Sequence, residues 1–284
     1  MNWRVEQLHS SVHRVKSHQP TKDSVFSLLV LSDVHFDSPE CDRRLLAKHM
    51  DQAREKGAMV VILGDWFDSM RSTGDRRMTH GARPEHDRLD YLDALVDDSV
   101  SFLDPYRDCI GVITQGNHES AMKRHHNTDL TRRLADRLGV AHGPYRGWLL
   151  VSIAKGKNGE HSYTRKIYYD HGSGGTAPVT RGVIKTNRRA VMVPDADIVI
   201  SGHIHERWTV EIPRIRLTAR NLRPSQDRQL HISSGTYKRE DLTEGWAAEK
   251  GFGPAALGGV WIDMCWAEGR SGRTEGLTAK AYNA

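Results

Sequence analysis

The sequence predicts a layered α/β domain, and three observations lead there. Short apolar runs alternate with amphipathic stretches over the first half of the chain. Five apolar runs end in small polar clusters rich in Asp, Asn and His. The second half becomes a succession of strand-like segments, which calls for a mixed sheet or a second sheet beside the first. No Pro/Ser-rich linker divides the 284 residues. The expected organisation is therefore an N-terminal helical arm over 1–22 and a single domain over 23–284.

Taken in order, Val5, Leu8, Val12 and Val15 recur at helical spacing, with Pro20 and Lys22-Asp23 closing the arm. Val25 to Leu31 reads as a buried strand, ending in Ser32-Asp33-Val34-His35. Asp42 to Lys56 has a helical pattern that Gly57 stops. Met59 to Leu63 is a second buried strand, ending in Gly64-Asp65. Ser69 to Pro84 is polar, basic and glycine-containing, a long surface loop in which Met70 and Met78 suit a lid. Leu89 to Leu103 is helical, and Cys109 to Thr114 forms a third strand ending in Gln115-Gly116-Asn117-His118-Glu119. Asp129 to Leu138 is helical, ending at Gly139. Strands follow at Trp148–Ala154 and at Lys166–Tyr169, the latter ending in Asp170-His171-Gly172. After a basic helical stretch, Ile198–Ile200 ends in Ser201-Gly202-His203-Ile204-His205. The pattern is then β from Trp208 to Arg220 and from Gln229 to Ser233. A last strand falls near Gly259 to Cys265, after a glycine-rich stretch from Ala247.

Composition narrows the class. Apolar residues are 38% and charged residues 27%, and no apolar run approaches the roughly 18 residues of a membrane span. The first twenty residues hold Arg4, Arg14 and Lys16 but no apolar block, so they are not a secretory signal. Cys41, Cys109 and Cys265 lie far apart, which excludes a disulfide scaffold and a Cys-rich zinc site and suits the cytoplasm. The net charge of +5 is compatible with a phosphate-bearing partner, and many basic proteins bind no nucleic acid. Sixteen histidines matter through their placement.

In open α/β folds, ligand sites gather at the carboxyl ends of strands. Residues i and i+2 of an extended segment point the same way, so Asp33 and His35 can face one point, as can His203 and His205. The five clusters deliver Asp33, His35, Asp65, Asn117, His171, His203 and His205 to one rim. Imidazole with carboxylate suits manganese, zinc, iron or nickel better than magnesium or calcium alone. Seven donors exceed what one catalytic ion with an open position takes, and match two ions sharing a carboxylate.

The ordered set Asp33-x-His35, Gly64-Asp65-x-x-Asp68, Gly116-Asn117-His118-Glu119, His171 and Gly202-His203-x-His205 resembles the calcineurin-like metallophosphoesterase superfamily. The likeness runs from Asp33 to His205, about two-thirds of the chain. It implies a β-sandwich flanked by helices, with a dinuclear centre at the sheet edge. It assigns Asp33, His35 and His205 to a first ion, Asp65 to both, and Asn117, His171 and His203 to a second. His118 would be the non-ligand acid that protonates the leaving oxygen, and Asp68 would orient it; a capping or solvent-facing carboxylate is the other reading of Asp68. Ser69-Met70 stand where protein phosphatases have Arg-Gly.

The implied activity is metal-dependent hydrolysis of phosphodiesters of nucleic acid or nucleotides, with two divalent ions, manganese foremost. A phosphomonoesterase acting on proteins or small molecules is the alternative, and a non-catalytic scaffold is a third. The DNA-repair exonuclease branch usually carries a long capping domain, and the chain after His205 is short for one. The lipid-A-precursor hydrolase branch shares the Gly64–Asp68 pattern but needs an apolar acyl-chain cap that is not evident here. Three segments bear on the substrate: Gly172 to Gly175, a flexible loop able to approach a phosphate; Arg181, Lys185, Arg188 and Arg189; and Arg214, Arg216, Arg220, Arg223 and Arg228 on an expected hairpin. Each reads equally as an ordinary loop, a solvated helix face and a charge-protected sheet edge. Trp208, Tyr237 and Trp246 suit either base stacking or the core.

Overall fold

The structure, a computed structural model, describes residues 1–19, 21, 23–69, 83–156, 161–175, 179, 180, 182–217, 222, 224–239, 253–268 and 274–284. Pro20, Lys22, Met70, Met78, Arg181, Arg220, Arg223 and Trp246 lie outside them.

Apolar runs buried on both faces build the centre. In β3 (Val25–Leu31), Leu29 and Leu31 face one apolar cluster while Leu28 and Val30 face another. The same division runs through β4 (Met59–Leu63), with Val60 and Ile62 on one side and Met59, Val61 and Leu63 on the other. Strands covered on both faces need no polar alternation, which is why these segments read as continuous hydrophobe. They pair in parallel with each other, and β4 pairs in parallel with β5 (Ile110–Thr114). The three-residue β6 (Ala141–Gly143) extends this order. On the other side, β12 (Val260–Glu268) runs antiparallel to β3, and β13 (Thr274–Asn283) closes a six-stranded sheet.

The second sheet has seven strands. Its members are β1 (Trp3–His9), β2 (Val12–His18), β7 (Arg146–Lys155), β8 (His161–Asp170), β9 (Ile198–Ser201), β11 (Ser225–Ser233) and β10 (Trp208–Arg216), in that spatial order. One apolar cluster fills the space between the sheets. The other packs the six-stranded sheet against α1 (Arg43–Lys56), α2 (Tyr91–Leu103) and α4 (Leu130–Leu138). A small third cluster includes Tyr168, Val199 and Val193, the residue that follows α5 (Val183–Met192). The result is a β-sandwich flanked by helices, as expected from the sequence. Asp42 caps α1 through a bond from Leu45 N–H, and Gly57 ends it at φ +62°.

The N-terminal segment departs from expectation. The helical arm expected over 1–22 is instead the β1–β2 hairpin, and β2 pairs in parallel with β7 from Val12–Trp148 to His18–Ala154. The apolar period that suggested a helix spans the turn. Within β2 the decisive period is two: His13, Val15 and Ser17 are buried while Val12, Arg14 and Lys16 are not. Other elements also escaped the apolar pattern, the three-residue β6 among them. The helix α3 (Asn117–His126) buries only His118, Glu119 and Met122, and β13 has two Thr, two Ala and only one large aliphatic residue, Leu277. Cys41, Cys109 and Cys265 are all free thiols. Among the described residues, no helix is long and apolar enough to cross a membrane.

Candidate active site

The carboxyl ends of β3, β4, β5, β8 and β9 meet on one rim, and the seven donors named from the sequence converge there. At this rim, three groups of side chains have nitrogen and oxygen atoms close enough to hold a metal ion: Asp33, His35 and His205; His35, Asp65 and His118; and Asp65, His171 and His203. Asn117 joins the last, its Oδ1 standing 3.2 Å from His171 Nε2 and 2.6 Å from His203 Nδ1. His35 Nε2 and His205 Nε2 lie 3.3 Å apart, and His171 Nε2 is 3.1 Å from Asp65 Oδ2.

The backbone achieves this differently from an extended strand end. Asp33, His35, Asp65, Ser69, His203 and His205 all have positive φ, between +47° and +75°. Side chains rarely tolerate that region, at roughly 1–3 kcal/mol each, and such residues persist only where the surroundings over-determine them. Here the surroundings do so. Asp33 N–H donates to Gly64 O and His35 N–H to Asp65 O, while Tyr237 N–H and Thr236 Oγ1 both donate to Asp33 O. Glycine is required where these loops cross: a Cβ at Gly116 would overlap Asp65 Oδ1, and one at Gly202 would overlap Ser32 Oγ.

The electrostatics call for positive charge. Asp33 and Asp65 are both buried. Burial opposes ionisation of Asp33, yet His171 and His205 hold its carboxyl down to about 2. Asp65 is likewise kept well below the usual range against its burial, chiefly by His171 and His118. Burial alone would neutralise His171, but Asp65 and Asp33 push it up to about 10. Burial and the nearby His171 lower His203 to about 4. Asp33 Oδ1 accepts no well-formed hydrogen bond, with His205 Nε2 at 3.5 Å and His171 Nε2 at 3.9 Å. A buried carboxylate oxygen without a well-formed donor, ringed by imidazoles, fits a divalent cation, whose charge would stand in for that of a protonated imidazole.

His118 opens α3, with Nε2 3.8 Å from Asp65 Oδ2. Its Nδ1 donates to the main-chain carbonyl of Asp68 at 2.7 Å, whereas the Asp68 carboxylate is 3.9 Å away and lies 2.8 Å from His35 Nδ1. The orientation of His118 expected from Asp68 thus comes through its carbonyl. The carboxylate of Asp68 is held below its ordinary range, against burial, by His35 and Lys238.

Four residues at the site had no role assigned from the sequence, although Glu119 closes the Gly116–Glu119 cluster. Tyr145 packs edge-on to His171 and bonds Gly172 O. Asp37 accepts from Asp68 N–H and Ser69 N–H, and Lys238 Nζ stands 3.3 Å from Asp68 Oδ1. Glu119 is fully buried and accepts from the N–H groups of Asp65, Phe67 and Gly116 at 3.1, 3.0 and 2.9 Å. Only Glu119 had a local signal, as an acid at the third position of a helix reaching back to the residue before it. Burial and the nearby Asp65 push its carboxyl up to about 7. Truncation to Ala would strand three buried N–H groups, an expected loss of about 3–6 kcal/mol. Thermal unfolding of Glu119→Ala should then show a midpoint roughly 10 °C lower. A shift under about 2 °C would mean that water replaces the carboxylate.

The basic segments are largely engaged within the fold. Arg214 holds Asp227 with two bonds of 2.9 Å and also the carbonyls of Pro194 and Ala196. Arg216 bonds Pro194 O, and Arg228 pairs with Glu211. Lys185 Nζ donates to Ser173 O and Gly174 O, tying α5 to the loop after His171, and Arg189 faces Asp170. Arg188 is exposed. Tyr237 is core, its hydroxyl 2.7 Å from His49 Nδ1, and Trp208 is half-buried at the start of β10.

Among solved structures, vacuolar protein sorting 29 from Cryptosporidium parvum is 14% identical, covering 92% of this chain and 99% of its own, with a TM-score of 0.40. Wild-type Vps29 complexed with zinc from Entamoeba histolytica is 11% identical over 91% of this chain and 99% of its own, with a TM-score of 0.39. A predicted phosphoesterase from Streptococcus pneumoniae is 14% identical over the same shares, with a TM-score of 0.34. At TM-scores this low they say nothing of this chain's activity. No curated protein matches the chain at a significant level. The profile of one family, described as calcineurin-like phosphoesterase, matches residues 26–207, more than half of the chain, and with that match the chain belongs to the calcineurin-like phosphoesterase family.

Proposed function

We propose that this chain hydrolyses phosphodiesters, of nucleic acid or nucleotides, with two divalent cations. The observation that carries the reading is the convergence of two cation-sized donor groups flanking Asp65. Asp33, His35 and His205 would hold one ion, Asn117, His171 and His203 the other, and Asp65 would serve both. Bound there, two cations supply an activated water near neutral pH and neutralise the substrate phosphate. Manganese is the first candidate, and zinc, iron and nickel suit the same donors.

The chain's own residues then do three things. Asn117 contributes a neutral amide oxygen, adding no negative charge beside the phosphate. His118 offers Nε2 to the leaving oxygen while its Nδ1 stays on the Asp68 carbonyl. Residues 173 and 174, fastened by Lys185, border the site beside His171. The preference for a diester is supported by the net charge of +5 and by Ser69-Met70 standing in place of the Arg-Gly of protein phosphatases.

The test compares bis-p-nitrophenyl phosphate with p-nitrophenyl phosphate in the presence of Mn²⁺. Diester turnover should exceed monoester turnover at least about tenfold, a difference of 1.4 kcal/mol in barrier. Monoester preference would make the protein a phosphatase. Turnover of neither, with two ions bound, would point to the scaffold role.

A further inference from the structure

Asp68 belongs to none of the three donor groups, yet it is held on every side. Its main-chain N–H donates to Asp37 Oδ1 at 2.6 Å, and Ser69 N–H donates to Asp37 Oδ2 at 2.8 Å. Asp37 is buried, and Tyr91 donates to it at 3.3 Å. The Asp68 carbonyl takes His118 Nδ1, and its carboxylate oxygen Oδ1 lies 2.8 Å from His35 Nδ1. The same oxygen receives Lys238 Nζ at 3.3 Å, from a side chain only 13% exposed. Lys238 arrives on the segment that holds Asp33: Tyr237 N–H and Thr236 Oγ1 bond Asp33 O, and Lys238 N–H bonds Thr236 Oγ1 at 3.0 Å.

An imidazole that binds a cation through Nε2 carries its proton on Nδ1, and an acceptor at Nδ1 fixes both tautomer and ring plane. Asp68 Oδ1 is the acceptor placed at that nitrogen of His35, 2.8 Å away, although the contact lacks the angle of a well-formed hydrogen bond. It is also a buried carboxylate close to a second one, Asp37, and a buried charge without compensation is costly. We propose that Lys238 is a positioning residue of the cation centre, holding the Asp68 carboxylate against His35 so that His35 Nε2 stays aimed at Asp33 and His205. This rests on the reading of that group as a cation site.

Lys238→Met keeps the stem and removes the ammonium, and Lys238→Arg keeps a charge. Mn²⁺ is titrated into the full chain after chelation, with free Mn²⁺ followed by electron paramagnetic resonance, for wild type and both variants. In Lys238→Met one of the two affinities should fall about 10–100-fold, the scale of lost support around a ligand, while the other holds. Lys238→Arg should recover most of that loss, and KM at saturating Mn²⁺ should not move. Unchanged Mn²⁺ affinity with a raised KM would overturn the proposal, because Lys238 would then contact the substrate phosphate. Equal loss at both sites with a lowered melting midpoint would also overturn it, as a general packing defect. If the Met variant lacks cooperative unfolding, Lys238→Gln carries the same expectations. Wild type binding fewer than two Mn²⁺ would sink the two-cation reading itself, and this inference with it.

Discussion

Asp65→Asn is expected to lower diester turnover by on the order of 10³-fold or more, and to leave fewer than two cations per chain. The substitution is informative because it disturbs little else. Asp65 sits at φ +49°, a conformation that asparagine tolerates well. Its N–H bond to Glu119 is made by the main chain and survives, and Oδ1, which accepts from His118 N–H at 3.0 Å, has an amide counterpart. What disappears is the charge, together with the second oxygen, 3.1 Å from His171 Nε2. As the proposed shared ligand, Asp65 would be lost to both ions at once, whereas loss of His205 or His203 would affect one. Metal content by mass spectrometry and kcat/KM on the same preparation decide the matter. A fully loaded variant within about tenfold of wild type would remove Asp65 from the bridging role.

His118→Ala is expected to behave in the opposite way toward metal. It should retain both cations and lose about 10²–10⁴-fold in kcat, the range of a positioned general acid. The leaving group supplies a sharper criterion. A p-nitrophenolate departs with little help, while an alkoxide needs a proton, so the loss should be larger on an alkyl diester than on bis-p-nitrophenyl phosphate. Equal losses on both substrates would assign His118 to charge stabilisation rather than proton donation. Loss of metal would make it a ligand, consistent with its place beside His35 and Asp65.

The parts of this molecule legible in its sequence are those with short-range causes. Apolar runs such as Met59–Leu63 announce buried strands, and Asp42 and Gly57 mark the ends of α1. Each donor cluster follows such a run, so the rim could be placed before its geometry was known. The shape of the rim was another matter. Asp33 and His35 point together through two left-handed residues rather than through pleating, a choice enforced by bonds to the carbonyls of 64 and 65 and from 236 and 237. Those partners lie up to about two hundred positions away, and no local pattern reports them. Asp37 and Lys238 were missed for the same reason, since an acid or a lysine near a turn is ordinary until its neighbours are known. The β1–β2 hairpin was missed because its strand pairing is with Trp148–Ala154, and a half-buried edge ribbon with His and Lys shows little apolar signal.

The antiparallel pairing of β3 with β12 sets an order of events in synthesis. Val30 lies opposite Val260, so the strand that delivers Asp33 has one neighbour, β4, until more than two hundred further residues have left the ribosome. The β1–β2 hairpin likewise waits for Trp148. Until then the nascent chain exposes an unpaired apolar edge along Val25–Leu31, at the usual synthesis rate of about 5–20 residues per second. Contacts this distant in sequence also make the search slow once the chain is free. The first donor cluster to be made is therefore among the last to be locked, since its bonds from Thr236 and Tyr237 come late in the chain.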